Sequence, residues 1–237
     1  QKEIKLFANE NAFPAEVLDA LAKDGVTLLP YDSIYEYVKT FAKDMKVLLC
    51  KQKVNSRLVS NIPAEVEILD EENLTLLPKA IKNPVEVENE RIAHIRDGVA
   101  LTKFIYWLKK NVGKIPMTEL SAEEKLYSFR AQQENFIDNS FDPIISYGVH
   151  AAINHYSATP ETDIPIEPRS FLLADTGGNY YEGTTDTTRT IVMGPVTDEQ
   201  KKFFTAVLRG MLNLGNAKFR YGCTGVNLDY LARGPLW

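Results

Sequence analysis

One short segment of the chain, residues 170–194, constrains the fold and the chemistry more than any other stretch. It reads S-F-L-L-A-D-T-G-G-N-Y-Y-E-G-T-T-D-T-T-R-T-I-V-M-G and places two carboxylates, Asp175 and Asp186, between apolar or β-branched runs. Such runs are typical of strands, and the glycines and the asparagine between them permit a sharp reversal of the chain. The segment therefore predicts a β-hairpin with an aspartate on each strand.

The spacing of the two aspartates predicts how they face each other. If the turn is centred near Tyr180, Asp175 and Asp186 stand directly opposite, with Cβ atoms about 5 Å apart. Two like charges at that distance in a partly buried site repel, so either one carboxyl stays protonated or a cation lies between them. A divalent metal ion or a pair of ions is one interpretation, and a solvated hairpin with ordinary surface acids is the other. The residues alone leave both open.

The same residues resemble a known family. D-T-G-G-N-Y-Y-E-G-T-T-D-T-T-R-T closely resembles the hallmark of the pita-bread metallopeptidases, specifically the Xaa-Pro aminopeptidases, and I-N-H-Y-S-A-T-P-E-T resembles their H-Y segment. R-I-A-H-I-R-D-G-V-A and L-A-R-G-P-L-W extend the similarity through nearly the whole chain. The resemblance implies that Asp175 binds one metal ion, that Asp186 bridges two, and that His155 contacts the substrate near the metals.

The resemblance also implies ligands that this chain lacks. In the family a G-H-G-x-G histidine and two glutamates complete the site downstream of the R-x-x-L-W segment, whereas no histidine follows Asp186 here. Asp198 and Glu199 fall in the first turn of a predicted helix, where acids favour the macrodipole, so we predict a structural role for both. We therefore expect a fragment that cannot build the complete dimetal centre and is inactive by itself.

The order of elements predicts two domains. Strands and helices alternate up to about Pro84, which is typical of βαβ units and a largely parallel sheet. Beyond it, two helices, the aspartate hairpin and a third helix predict an α+β layer. The predicted fold class is thus α/β and α+β. The resemblance assigns residues 1–84 to the C-terminal part of a creatinase-like N-terminal domain and residues 85–237 to the first half of a pita-bread catalytic domain.

Local patterns specify the surroundings of the hairpin. Ser121 with Glu124, and Thr197 with Gln200, are each predicted to form the capping box of a helix. Residues 151–154 are predicted to pair as a strand with residues 144–147, which would place His155 on a strand. By pattern alone a structural role for His155 is favoured, and the family resemblance reverses that preference. Arg189 alternates away from the aspartates, which predicts a buried ion pair or a backbone clamp on the other face.

Composition excludes several classes of protein. The formal net charge is −5, so there is no basic face for nucleic acid. No apolar run approaches the roughly 20 residues of a membrane span, and no signal peptide is visible. Cys50 and Cys223 lie far apart without C-x-x-C spacing, which favours a reducing, cytoplasmic compartment.

The resemblance implies a definite activity. A water activated by two divalent ions, Mn²⁺ in the first place with Zn²⁺ or Co²⁺ as alternatives, would release the first residue of peptides with proline in the second position. It also implies a homodimer at full length. A catalytically silent pita-bread module that binds peptides or partner proteins is the alternative from another class. A prolidase is a further alternative, and a methionine aminopeptidase is disfavoured by the preceding domain.

Overall fold

The computed structural model describes residues 3–237, and Gln1 and Lys2 lie outside the described residues. The chain divides into two compact units, one ending at Lys82 and the other running from Asn83 to Trp237. The predicted assignment of residues 1–84 and 85–237 to separate domains stays a prediction. Pro84 itself is the first residue of the long helix in the second unit, preceded by the N-cap residue Asn83.

The first unit alternates short strands and helices, as the sequence predicts. Its strands and α-helices are β1 (Ile4–Phe7), α1 (Ala15–Lys23), β2 (Val26–Leu29), α2 (Ile34–Tyr37), β3 (Lys46–Leu49), α3 (Ser56–Asn61), β4 (Glu67–Asp70) and α4 (Leu76–Ala80). Strand β1 pairs with β2 and β3 with β4, both in parallel. The parallel pairing is as predicted, but within residues 3–82 it forms two separate two-stranded sheets. A core of Val38, Leu49, Ile62 and Val66 lies in this unit.

The second unit is an α+β layer. Its elements are α5 (Pro84–Asn111), α6 (Glu119–Arg130), β5 (Phe136–Asn139), β6 (Ile144–Tyr147), β7 (Phe171–Thr176), β8 (Gly178–Tyr180), β9 (Thr187–Val192), α7 (Asp198–Gly215) and α8 (Gly225–Arg233). Strands β6, β7 and β9 form an antiparallel sheet with β7 in the centre, and β5 pairs separately with β8. Because β7 is central, its backbone is held by hydrogen bonds on both sides.

The core of the second unit lies on one face of this sheet. Leu172 and Ala174 of β7 are fully buried against residues of α5 and α6, among them Phe104 and Leu126. Their alternation with half-buried neighbours is the pattern of a strand with one buried face. The opposite face of β7, which carries Asp175, is therefore the open side of the sheet.

Capping residues explain where the helices of the second unit begin. Thr197 and Gln200 form the predicted capping box of α7. The capping box predicted for Ser121 and Glu124 is wrong, because Thr118 is the N-cap residue of α6 and Ser121 is its reciprocal partner. The Ser121 hydroxyl can act either as an N-cap acceptor or as the reciprocal partner at the third helical position. Because Thr118, three residues earlier, supplies the N-cap, Ser121 takes the second role and α6 begins after Thr118.

Candidate metal centre

The two aspartates lie on the same face of the β7–β9 hairpin but not directly opposite each other. Asp175 pairs with Thr188, and Thr176 with Thr187. The bridge between Asn179 and Thr184 continues this register towards the turn. Asp186 is thus two residues from the partner of Asp175, and the expectation of directly opposed carboxylates is wrong. Such diagonal neighbours have Cα atoms about 7–8 Å apart.

The position of the turn explains the offset. Tyr180 and Gly183 exchange both main-chain hydrogen bonds, N–H to O, at 2.8 and 3.2 Å. The reversal is therefore centred between Tyr181 and Glu182, further along than Tyr180. Because the turn sets every pair in the hairpin, a turn centre one residue further along moves Asp186 two pairs away from Asp175, and both side chains stay on one face.

The two carboxylates differ in their surroundings. Asp175 is half-buried and Asp186 is exposed. The Thr188 hydroxyl donates a 2.7 Å hydrogen bond to Asp175 Oδ1. The diagonal offset and the exposure of Asp186 both weaken their mutual repulsion. The two carboxylates can therefore lie this close without a cation between them. What suits a metal ion is that both lie on the same open face of the hairpin.

A close approach at Gly177 fixes the backbone between the aspartates. A Cβ at Gly177 would overlap the Thr185 carbonyl oxygen and Ser140 Oγ. The buried Thr185 hydroxyl accepts from the Gly178 N–H at 2.9 Å, and Ser140 Oγ donates to the Thr185 carbonyl at 2.9 Å. Only glycine fits at position 177, so this contact determines where β7 passes into β8.

A buried ion pair supports the hairpin from behind. Arg130 Nε donates to Asp97 Oδ1 at 2.7 Å, and its Nη2 donates to Thr176 Oγ1 at 3.0 Å. Tyr180 Oη donates to the same Asp97 oxygen at 3.2 Å. Burial beside the Asp97 carboxylate raises the pKa of the Tyr180 phenol, which stays a donor at neutral pH. These hydrogen bonds join α5, α6, β7 and β8. They hold β7 at Thr176, the residue that follows Asp175.

His155 has a different backbone from the one predicted. Residues 148–152 form a 3₁₀ helix, and His155 follows in a turn with a left-handed φ of 56°. The predicted strand over residues 151–154 is therefore wrong, and His155 is exposed. A left-handed conformation is uncommon for a residue with a Cβ and is typical of functional or closely constrained turns.

Sequence reasoning missed the most buried acid near this turn. Glu119, the first residue of α6, is completely buried, and its carboxylate faces His150 and Tyr156. In the sequence it is indistinguishable from an ordinary acid in the first turn of a helix. The only available signal was the cluster of two histidines and two tyrosines within residues 147–156, whose donors need an acceptor once they are buried.

The opposite face of β9 gives a further correction. Arg189 points away from the aspartates, as the alternation predicts, because it pairs with the buried Ala174. It is nevertheless exposed, and its Nη1 donates to the main-chain oxygen of Thr188 at 2.8 Å. The predicted buried ion pair is thus wrong, whereas the contact with the backbone is present.

The donor atoms fit part of a dimetal site. Asp175 and Asp186 supply at most four oxygens, whereas hard divalent cations prefer about six ligands each. Among residues 3–237 there is no group of three or more histidine, cysteine or acidic side chains placed to hold a metal ion. The hairpin can therefore supply two carboxylate ligands, and a complete coordination shell needs donors beyond those described.

Comparison with known proteins identifies the family. Residues 88–237 match the description "Metallopeptidase family M24", and residues 1–86 match a creatinase/prolidase N-terminal domain. The chain belongs to metallopeptidase family M24. The predicted resemblance and the predicted fold class are confirmed, and with them the assignment to a family of hydrolases.

Individual relatives give the same result over the full length of the chain. The chain is 36% identical to a probable Xaa-Pro aminopeptidase P of Ajellomyces capsulatus over 252 residues, which is 100% of this chain and 41% of the relative. A protein with the same description from Paracoccidioides lutzii is 36% identical over 98% of this chain and 40% of its own length. The chain thus spans about two fifths of the curated relatives it matches.

Solved structures extend the comparison to the fold. An X-prolyl aminopeptidase from Caenorhabditis elegans, described as a cytosolic enzyme with a di-nuclear active site, superposes with a TM-score of 0.91 at 30% identity. The match covers 100% of this chain and 40% of that one. A prolidase from Pyrococcus furiosus gives a TM-score of 0.72 at 22% identity over 99% of this chain and 66% of its own, which shows the shared fold alone.

Between residues 3 and 237, no helix is sufficiently long and apolar to cross a membrane.

Proposed function

We propose that this chain is part of a metal-dependent aminopeptidase that releases the first residue of peptides with proline in the second position. The observation that carries the proposal is the placement of Asp175 and Asp186 on one open face of the hairpin, with Thr188 bound to Asp175. The names of the relatives and the di-nuclear site of the C. elegans enzyme support it.

In this proposal Asp175 and Asp186 are ligands of two divalent ions, with Mn²⁺ as the first expectation and Zn²⁺ or Co²⁺ as alternatives. Carboxylate oxygens suit Mn²⁺ in particular. Bound divalent ions would supply a water that ionises near neutral pH and would polarise the scissile carbonyl. Thr188 holds one oxygen of Asp175, which fixes the direction of the remaining lone pairs towards the open face.

We propose that His155 contacts the substrate, donating to the scissile carbonyl or to the oxyanion that develops from it. Its exposure leaves the ring free to reach a bound peptide, and its left-handed backbone sets the direction of the side chain. Proline in the second position offers no N–H, so its recognition must depend on the shape of the pocket around the ring.

The assembled protein is proposed to be a cytosolic homodimer. The cytosolic C. elegans neighbour supports the compartment. The predicted inactivity of the 237-residue chain alone stays a prediction; within residues 3–237 no group of three or more metal-binding side chains includes the two aspartates. Light scattering of the full-length protein tests the dimer, and an assay of the isolated chain tests the inactivity.

The test of the function uses the full-length protein with Asp175→Asn and Asp186→Asn, and Asp198→Asn as the matched control. Asp198 is an exposed acid in the first turn of α7, paired with Lys201. Both site variants should lose bound metal and lower kcat/KM on an Xaa-Pro-Xaa peptide by about 10³-fold or more, because several kcal/mol of charge stabilisation is lost. The control should keep both. Full activity and full metal content in Asp186→Asn would refute the assignment.

Two alternatives have distinct outcomes in the same experiment. One alternative is a silent module of the same fold that binds peptides, since a fold alone does not fix function. That alternative predicts a full-length wild type that binds peptide without metal and does not cleave it. A prolidase would cleave Xaa-Pro dipeptides and spare Xaa-Pro-Xaa peptides.

A further inference from the structure

A single buried carboxylate lies beneath the segment that carries His155. Glu119 is 0% exposed and accepts hydrogen bonds from three different groups. The Tyr147 N–H donates to Oε1 at 2.6 Å, and the Tyr156 hydroxyl donates to Oε2 at 2.9 Å. His150 Nδ1 lies 3.1 and 3.0 Å from the two oxygens. Buried acids are seldom found without such compensation, so this cluster accounts for the burial of Glu119.

The proton arrangement of the cluster follows from the chemistry of its groups. Where the Glu119 carboxylate accepts at both oxygens, the His150 tautomer that matches it carries a proton on Nδ1. Its ring lies against that of Tyr156, with centroids 4.4 Å apart. The Tyr147 N–H, His150 Nδ1 and the Tyr156 hydroxyl therefore all meet the same carboxylate. The negative charge is also favoured by the amino-terminal end of α6, where Glu119 is the first helical residue.

The three donors are spread along the segment that leads to His155. Tyr147 ends β6, His150 lies in the 3₁₀ helix that follows, and Tyr156 comes directly after His155. Glu119 thus holds the chain on both sides of the left-handed turn. A left-handed backbone is strained for a residue with a Cβ, so the turn persists only where its surroundings impose it.

We infer that Glu119 is a positioning residue, which fixes the turn of His155 and through it the direction of the His155 ring. The inference rests on the proposed contact between His155 and the substrate. Glu119 itself is too deeply buried to touch a peptide. Its effect on the reaction should therefore pass through His155 and disappear when that side chain is absent.

The first test does not depend on catalysis. In the full-length metal-loaded protein, Glu119→Ala should raise amide hydrogen exchange in peptides covering residues 148–157 and leave those of β7 and β9 unchanged. Glu124→Ala is the matched control, because Glu124 is an exposed acid on the same helix. Unchanged exchange over residues 148–157 in Glu119→Ala would overturn the inference, even if the enzyme proved to act on another substrate.

The second test is a double-mutant cycle on hydrolysis of an Xaa-Pro-Xaa peptide. Glu119→Ala should lower kcat about 10–100-fold with little change in KM, because a catalytic group moved by about 1 Å loses that much. Added to His155→Ala, it should cause no further loss. Fully additive effects would show that Glu119 acts independently of His155 and would contradict the inference. Absence of activity in the wild type would refute the proposed function instead.

A conservative variant keeps the inference testable if Glu119→Ala fails to fold. In Glu119→Gln the amide oxygen can still accept from the Tyr147 N–H, and the NH₂ in place of Oε2 can donate to the Tyr156 phenol oxygen and, after the imidazole changes tautomer, to His150 Nδ1. Near wild-type exchange over residues 148–157 and near wild-type kcat are expected. A loss of kcat in Glu119→Gln with unchanged exchange would contradict a positioning role, because the turn would be intact while the reaction was not.

Discussion

The Thr188 hydroxyl donates a 2.7 Å hydrogen bond to Oδ1 of Asp175, its direct partner across the strand pair. This contact leaves Oδ2 and the remaining lone pair of Oδ1 for a metal ion. Asp186 lies on the same face, two residues along from Thr188. Thr188, which neighbours both candidate ligands, therefore orients Asp175 for metal binding, and as a β-branched residue it also favours the strand.

Removing this hydroxyl should weaken metal binding. We expect Thr188→Val in the full-length protein to lower Mn²⁺ affinity about tenfold, because a partner that orients a metal ligand contributes 10- to 100-fold. Thr188→Ser should restore most of the affinity. Thr190→Val, on the same strand and opposite Leu173, should leave it unchanged. Calorimetric titration with Mn²⁺ measures the effect, and equal affinities in wild type and Thr188→Val would disprove it.

Gly177 should be intolerant of a side chain. The Cβ of Gly177→Ala would overlap the Thr185 carbonyl and Ser140 Oγ, so the hairpin must shift. We expect a loss of about 2 kcal/mol or more in unfolding free energy. At Gly98, exposed in α5, a Cβ meets nothing within 4 Å, and Gly98→Ala should stabilise by about 0.5–1 kcal/mol. Both tryptophans, Trp107 and Trp237, lie in the second unit, so urea denaturation followed by their fluorescence measures this difference.

The Asp97–Arg130 pair should be far more sensitive than a surface pair. Arg130 and Asp97 are 0% and 2% exposed, and Arg130→Ala leaves the Asp97 charge buried without its cation. We expect a loss of about 3–5 kcal/mol in unfolding free energy. Arg91→Ala breaks an exposed pair with Glu88 on the same helix α5 and should cost less than about 1 kcal/mol. Similar losses in the two variants, measured by urea denaturation, would contradict this interpretation.

The tip of the hairpin should respond to acid. The hydrogen bond from Asn135, and after it the contact with Arg96, holds the pKa of Glu182 below its ordinary value of 4.5. A lowered pKa means that the stabilisation is present above the unfolded-state pKa and is lost as the pH falls through the folded-state value. The wild type should therefore lose stability more steeply than Glu182→Gln as the pH falls below about 4.5.

The control for the acid response is Glu134→Gln. Glu134 is the second carboxylate bound to Arg96, but it is 77% exposed, against 15% for Glu182. Its removal should leave the steep acid response in place, because a solvated ion pair contributes little. Urea midpoints measured at pH 7, 5, 4 and 3 provide the comparison. Parallel curves for wild type and Glu182→Gln would show that the hairpin tip does not titrate in this range.

Local sequence signals predicted most of the elements. The capping box of Thr197 and Gln200 depends on four adjacent residues, and it is found where it was predicted. The alternation of strands and helices predicted for the first part of the chain is also present. Predictions failed where two local solutions compete. Thr118 and Ser121 can both cap α6, and His155 can adopt either an extended or a left-handed backbone, depending on what holds its neighbours.

By itself the sequence determined the family, the order of strands and helices, and the two acidic positions on one face of a hairpin, because each of these follows from residue types a few positions apart. The register of the aspartates, the turn at His155 and the burial of Glu119 were decided only in the tertiary structure. Each depends on contacts between distant residues, such as Gly177 with Ser140 and Glu119 with Tyr156. A pattern along the chain does not record which distant donor will reach a given acceptor, since that depends on how the elements pack.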